Sequence, residues 1–236
     1  MAVLLINLGQ ALDFFAKPSE AEVQFREALA ISRGWSDSGG WDVLRALVQL
    51  SENLYRQGKY AESVPFFREK VERVRADLPF DEDEWLLSLS STARALTDWA
   101  WNERGLPSED KDRKTENAGR AREAVSLLRD CLAIRLRGND KTNWRISDVQ
   151  SRLGGALVAV AVTDSALTSG ARLAKLTEAG SLLLEANEVL QLGKEVKSKY
   201  KSDSLTRLIR LYEAWDKPDK AAEWQQKLDD FNKTEK

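Results

Sequence analysis

The sequence has no histidine, one cysteine, one methionine and five prolines in 236 residues. Without histidine there is no Ser–His–Asp or Cys–His nucleophile system. Zinc sites built on histidine or on paired cysteines are excluded as well. A lone cysteine makes no internal disulfide, so nothing points to an oxidising compartment. Long apolar runs are also missing: the longest, Ala156 to Val162, falls far short of the ~20 residues a membrane helix needs. The opening MAVLLINLGQALDFF lacks the basic segment of a secretory signal. Nor does one sign of charge dominate, because 36 Lys+Arg stand against 38 Asp+Glu for a net charge of −2. That balance leaves no broad footprint for nucleic acid or a membrane surface. The expectation is a cytoplasmic chain with no cofactor, no metal, no nucleic-acid partner and no membrane insertion. Tryptophan, by contrast, is plentiful, with eight against four tyrosines and seven phenylalanines.

What the chain does contain is a repeat. Gly9, Leu12, Ala21, Phe25 and Ala28 reappear 42 residues later as Ser51, Leu54, Ser63, Phe67 and Lys70. Small residues let two helix backbones approach, and the large residue four positions after the second small one fills the space between them. The pattern continues through Ala93 and Leu96 to Ala124, Leu128 and Cys131. It recurs at Gly154, Leu157, Ala179, Leu183 and Ala186, and again at Tyr212, Ala221 and Leu228. The anchors Ala21, Ser63, Ala124, Ala179 and Ala221 are spaced by 42, 61, 55 and 42 residues, implying insertions of 19 and 13. Leu5, Leu8, Gly9 and Leu12 recur at helical intervals, as do Leu47, Leu50, Ser51 and Leu54. Pro18 and Pro218 suit the opening of a helix, where the missing N–H costs little. The expected fold is all-α, a right-handed superhelical solenoid of about five antiparallel helix pairs. These pairs span 2–34, 41–77, 84–137 (insertion 102–119), 144–197 (insertion 161–173) and 202–231 of a single solenoid covering 1–236.

These residues resemble the tetratricopeptide repeat (TPR) family, in its 42-residue kinesin-light-chain-like variety. QGKYAESVPFFREKV is the most specific stretch, with the family's Gly–x–Tyr turn at Gly58 and Tyr60. The second half, in RDCLAIRLRGNDKTNWRISDVQSRLGGALVAVA and RLIRLYEAWDKPDKAAEWQQKL, is similar to the repeat region that follows the kinase domain in planctomycete-type bacterial Ser/Thr kinases. No glycine-rich phosphate loop or His–Arg–Asp loop accompanies it. The chain departs from the repeat pattern at Lys70, Ile209 and Gln225. The resemblance implies a non-catalytic scaffold that binds a protein or peptide segment in a concave groove. The alternative is the regulatory or targeting C-terminal part of a larger bacterial signalling enzyme such as a Ser/Thr kinase.

In such a fold the first helix of each pair lines the groove, and residues off its packing stripe point inward. That rule selects Asn7, Phe14, Arg45, Glu52, Tyr55, Arg56, Arg94, Asp98 and Arg152, with Asp148 and Ser151 beside the last. Asn7 would hold a ligand backbone, Tyr55 and Phe14 apolar side chains, and Arg45, Arg56 and Arg94 charge. The Asn7 position continues as Gln49 and Ser91, an incomplete ladder. The competing reading makes them solvated side chains with local pairs, such as Glu52 with Arg56.

Trp41, Trp85 and Trp144 fall at the start of first helices, with Trp35 in a preceding loop. Together with Trp99, Trp101, Trp215 and Trp224 they read as seals between repeats. Cys131 sits at a small packing position, which predicts a buried, inert thiol. The mixed-charge insertion 102–119 is the best candidate for disorder, and the one near 161–173 is expected to prolong both flanking helices. Val3, Leu4 and Ile6 crowd the outer edge of the first helix. The expectation is a fragment of a longer chain, or an end that meets a partner.

Overall fold

In the computed structural model, residues 1–34, 41–76, 81–105, 107, 110–138 and 143–234 are described. They form ten helices and no strand: α1 (Ala2–Phe14), α2 (Pro18–Gly34), α3 (Trp41–Arg56), α4 (Tyr60–Ala76), α5 (Glu82–Asn102), α6 (Lys111–Arg135), α7 (Trp144–Thr163), α8 (Ser169–Leu192), α9 (Ser198–Ala214) and α10 (Pro218–Thr234). None is long and apolar enough to cross a membrane among the described residues. Helix starts are marked chemically. Asp81, Asp110, Asn143 and Thr168 side chains accept from backbone N–H groups of the first turns of α5, α6, α7 and α8, which satisfies donors that have no partner inside the helix.

The turn inside three of the pairs is the same object. Lys17 N donates to the Leu12 carbonyl, Lys59 N to Leu54 and Lys217 N to Tyr212, each at 2.9 Å. Each bond closes over a left-handed residue, at φ 56° for Ala16, 74° for Gly58 and 55° for Asp216. This is the six-to-one closure that ends many helices. Only Gly58 meets it without a Cβ penalty.

The chain divides into two compact units, Met1–Ala95 and Leu96–Lys236, and the division falls inside α5. In the first unit Ile6, Phe25, Leu29, Leu47, Leu50 and Leu54 join one buried cluster. In the second, Leu128, Leu157, Leu183, Leu190 and Leu208 are fully buried. All five small anchors are buried, and two of the close approaches they predict can be measured. A Cβ on Gly9 would lie 2.4 Å from the Phe25 ring, and one on Gly154 would lie 2.6 Å from Leu183.

The insertions lengthen helices. Anchor Ala124 lies deep inside the 25-residue α6, and Ala179 deep inside the 24-residue α8, against 17 residues for α2, α4 and α10. Residues 111–119, expected to be disordered, are the opening turns of α6, and Asn117 there is buried with its side-chain amide donating to the Ala100 carbonyl at 3.0 Å. Mixed charge did not prevent this helix, because Asp110 caps it and Arg120 pairs with Glu103 at 2.8 Å. Residues 106, 108 and 109 of that stretch, and Trp35, lie outside the described residues. Trp41 is exposed at the first position of α3, so this indole is not one of the seals. Ile6 is also not at the outer edge of α1: the helical period turns it inward against Phe25 and Ala28, and Met1, Leu4 and Leu8 face out.

Candidate functional site

In the first unit three of the sequence-selected residues come together. Arg94, buried on α5, lays its guanidinium 4.0 Å over the Tyr55 ring and donates to Glu52 Oε1 at 2.5 Å. Tyr55 in turn meets Tyr60 edge to face at 5.5 Å. Stacking on the ring face and pairing with the carboxylate both suit a planar cation more than they would a lysine. Arg56 adjoins this group by donating to the Glu52 carbonyl at 3.3 Å, and its guanidinium pairs with Asp13. Asn7, Phe14 and Arg45 are exposed and outside the cluster.

At the turn end of the same helices lies a polar clasp. Buried Asn53 donates to Asp13 at 2.8 Å and to the Pro18 carbonyl at 3.0 Å. Gln57 bridges Asn53 and Glu22. Lys59 and Arg26 reach Glu22 at 2.7 and 2.8 Å. Burial raises the Glu22 carboxyl, but the hydrogen bonds from Lys59, Arg26 and Gln57 more than offset it and hold it below its ordinary range.

The second unit gathers a charged cluster on α7, α9 and the last turns of α5. Arg207 is buried. It donates to Ser151 Oγ at 3.0 Å and lies 3.7 Å from Asp203. Arg210 pairs with Asp98 at 2.5 Å, and Arg152 with Asp148 at 2.8 Å. Burial pulls the Arg207 guanidinium below its ordinary value, with Asp203 opposing. Asp148 Oδ1 is buried without a hydrogen-bond partner among the described residues. Room for Arg207 comes from Gly155, where a Cβ would stand 3.1 Å from the arginine's Cδ. Beside the cluster the Trp101 ring is flanked by Arg104 at 4.1 Å and Arg210 at 5.2 Å, and Arg120 covers Trp99 at 3.7 Å. These indoles have arginine partners, and Trp215 packs against Gly180, in keeping with a packing role.

Asp98 and Arg152 therefore fall in one cluster, as do their neighbours Asp148 and Ser151. Sequence reasoning missed Arg207, Arg210 and Asp203, although a signal existed. Aligned by the repeat, Asn7 and Arg152 share a column whose fifth member is Arg207. Glu52 and Arg94 share one that ends at Arg210, and Arg45 and Asp148 one that ends at Asp203.

Cys131 is buried, and burial pushes its thiol up to about 12. Among the described residues no group of three or more acidic or cysteine side chains is placed to hold a metal ion. The cluster's three aspartates and three arginines balance in charge.

No protein-family model matches the sequence, and no curated protein matches it. Solved structures do. A single-substitution form of a Podosopora anserina protein described as a kinesin light chain with nearly identical TPR-like repeats aligns with TM-score 0.61 and 19% identity, over 98% of this chain and 94% of that one. A second structure of that protein gives 0.58 and 18%, over 98% and 95%. A double mutant of MamA from RS-1 gives 0.52 and 14%, over 99% and 96%. At these identities the likeness concerns the backbone. The chain has the all-helical fold of TPR-like repeat proteins.

Proposed function

We propose that the chain is a non-catalytic scaffold that binds a protein or peptide segment along the faces of its first helices. The observation that supports this reading best is the cluster of Asp98, Asp148, Ser151, Arg152, Asp203, Arg207 and Arg210 in the second unit. Polar groups are costly to bury and add little where apolar packing would serve. Here they occupy repeat columns on one face, with Asp203 and Arg210 at its more exposed margin. That margin offers an extended segment both an acceptor and a donor, held in place by the buried members behind it. In the first unit Glu52, Tyr55, Arg56 and Arg94, with exposed Asn7, Phe14 and Arg45, supply the same functions. The balanced charge disfavours nucleic acid as the ligand, and the single cysteine suits a cytoplasmic setting.

A peptide-display screen with the whole chain tests the reading. Selected peptides should lose binding to Arg210→Glu and keep it with Lys220→Glu, a charge reversal at an exposed position of α10. Binding that ignores Arg210→Glu would move the site elsewhere. A second reading, a regulatory or targeting part of a larger bacterial signalling enzyme such as a Ser/Thr kinase, rests on the sequence resemblance of the second half alone. A kinase domain encoded in frame ahead of Met1 would support it, and a stop codon there would remove it.

A further inference from the structure

The repeat makes α1 and α3 equivalent, yet their outer faces differ in one respect. Met1, Leu4, Leu8, Ala11 and Phe15 occupy the positions of Val43, Ala46, Leu50, Asn53 and Gln57, one 42-residue period later. On α3 this stripe is covered by α2: Val43, Ala46 and Leu50 are buried, and Asn53 and Gln57 donate to the Pro18 carbonyl. On α1 the same stripe is open, with Leu4 67%, Leu8 48% and Phe15 70% exposed. It is a surface of helix-docking type, carrying apolar residues that a solvated helix does not need.

Its chemistry says what fits. Between Met1 and Leu12 there is no charged side chain. Where α3 has the hydrogen-bonding Asn53 and Gln57, α1 has Ala11 and Phe15, so the occupant is an uncharged apolar helix face and not one like α2, which meets α3 through Glu22 and the Pro18 carbonyl. The exposed side of α10, with Gln226, Asp229, Asp230 and Lys233, does not qualify. The stripe is close to palindromic about Leu8. Run antiparallel to itself, it sets Leu8 against Leu8, Leu4 against the small Ala11, and Met1 against Phe15. Leu4 then meets a small residue on either side of the axis, and the larger pairs fall at the centre and the two ends of the ~20 Å of helix that the stripe spans. We infer that α1 is a self-association surface, on which the α1 of a second copy packs antiparallel about a two-fold axis at Leu8. This is an isologous pairing, in which one self-complementary patch serves both copies.

Sedimentation equilibrium of the whole chain over about 1–200 µM, a range suited to a patch of this size, tests the association. A monomer–dimer equilibrium is expected. Leu8→Glu should weaken it by at least about tenfold, and Leu184→Glu, at an exposed site on α8, should leave it unchanged. Because Leu8 is on the outside of α1, both variants should keep the wild-type helical circular dichroism; if Leu8→Glu does not, Leu4→Ser serves in its place. The geometry has its own readout in a Cys131→Ser background. Leu8→Cys, at the axis, should cross-link into a disulfide dimer on mild oxidation, because only there do the two Cβ atoms approach closely enough. Leu4→Cys should not. A chain that stays monomeric throughout, or a dimer indifferent to Leu8→Glu, would overturn the assignment to α1. Equal cross-linking at both positions would overturn the antiparallel arrangement.

Discussion

The two units join neighbouring helix pairs in opposite ways. In the first, the clasp of Asp13, Glu22, Asn53, Arg56, Gln57 and Lys59 is at the turn end of the helices, and two of its charged members, Arg56 and Lys59, remain exposed. In the second, Arg207 is buried in mid-helix and Asp148 near the start of α7, and the helix facing Arg207 gives up a side chain at Gly155 to admit the arginine. The comparison teaches that a constant backbone repeat does not dictate where polarity is stored. A clasp beside water can lose a member and be rehydrated, whereas a buried cluster cannot.

The sharpest way to break the contrast is Arg207→Ala. Removing one member of a buried ionic group leaves its partners uncompensated, so the denaturant midpoint should reveal a loss of about 3–5 kcal/mol. A loss no larger than that of a surface arginine would mean the cluster is hydrated. Asn53→Ala is the counterpart in the first unit. It orphans hydrogen-bonding groups at the edge of water, and the same titration should show about 1–3 kcal/mol. Smaller still are Ala16→Gly and Asp216→Gly, which relieve the left-handed turn residues. Each should stabilise by no more than about 1 kcal/mol, because glycine's extra freedom in the unfolded chain offsets part of the relief. A destabilised Ala16→Gly protein would show that this turn is held by contacts other than its closure.

The gentlest prediction concerns acid. Glu22 titrates below its ordinary 4.5 in the folded chain, so its contribution is present above that value and disappears as pH falls through the lowered one. Thermal melts of Glu22→Gln should therefore converge on wild type at low pH. Parallel curves would show that Glu22 does not titrate with the clasp.

Much of this was visible in the residues alone. The spacing of Gly9 to Phe25 and of Gly154 to Leu183 marks two close helix approaches, because a Cβ at either glycine would overlap the facing side chain. The helix count followed from the same period. The polar clusters were only half legible: Asp98, Asp148 and Arg152 could be found as groove positions, but pairing depends on which rotamer meets which across a helix interface, and that is a tertiary property. Charge pattern misled at 111–119, where Asp110 and Glu103 turn a mixed-charge stretch into a capped, paired helix. Trp41 shows the reverse failure, since a position at a helix start does not by itself ensure a neighbour to pack on.

Gly155 and Arg207 also set each other's tolerance. A Cβ at position 155 would stand 3.1 Å from Cδ of Arg207 and 3.3 Å from its Cγ, so an alanine there obliges the arginine stem to give way slightly and a bulky side chain displaces it. How large a residue position 155 accepts is therefore decided by the side chain at 207, and shortening that side chain should widen the choice.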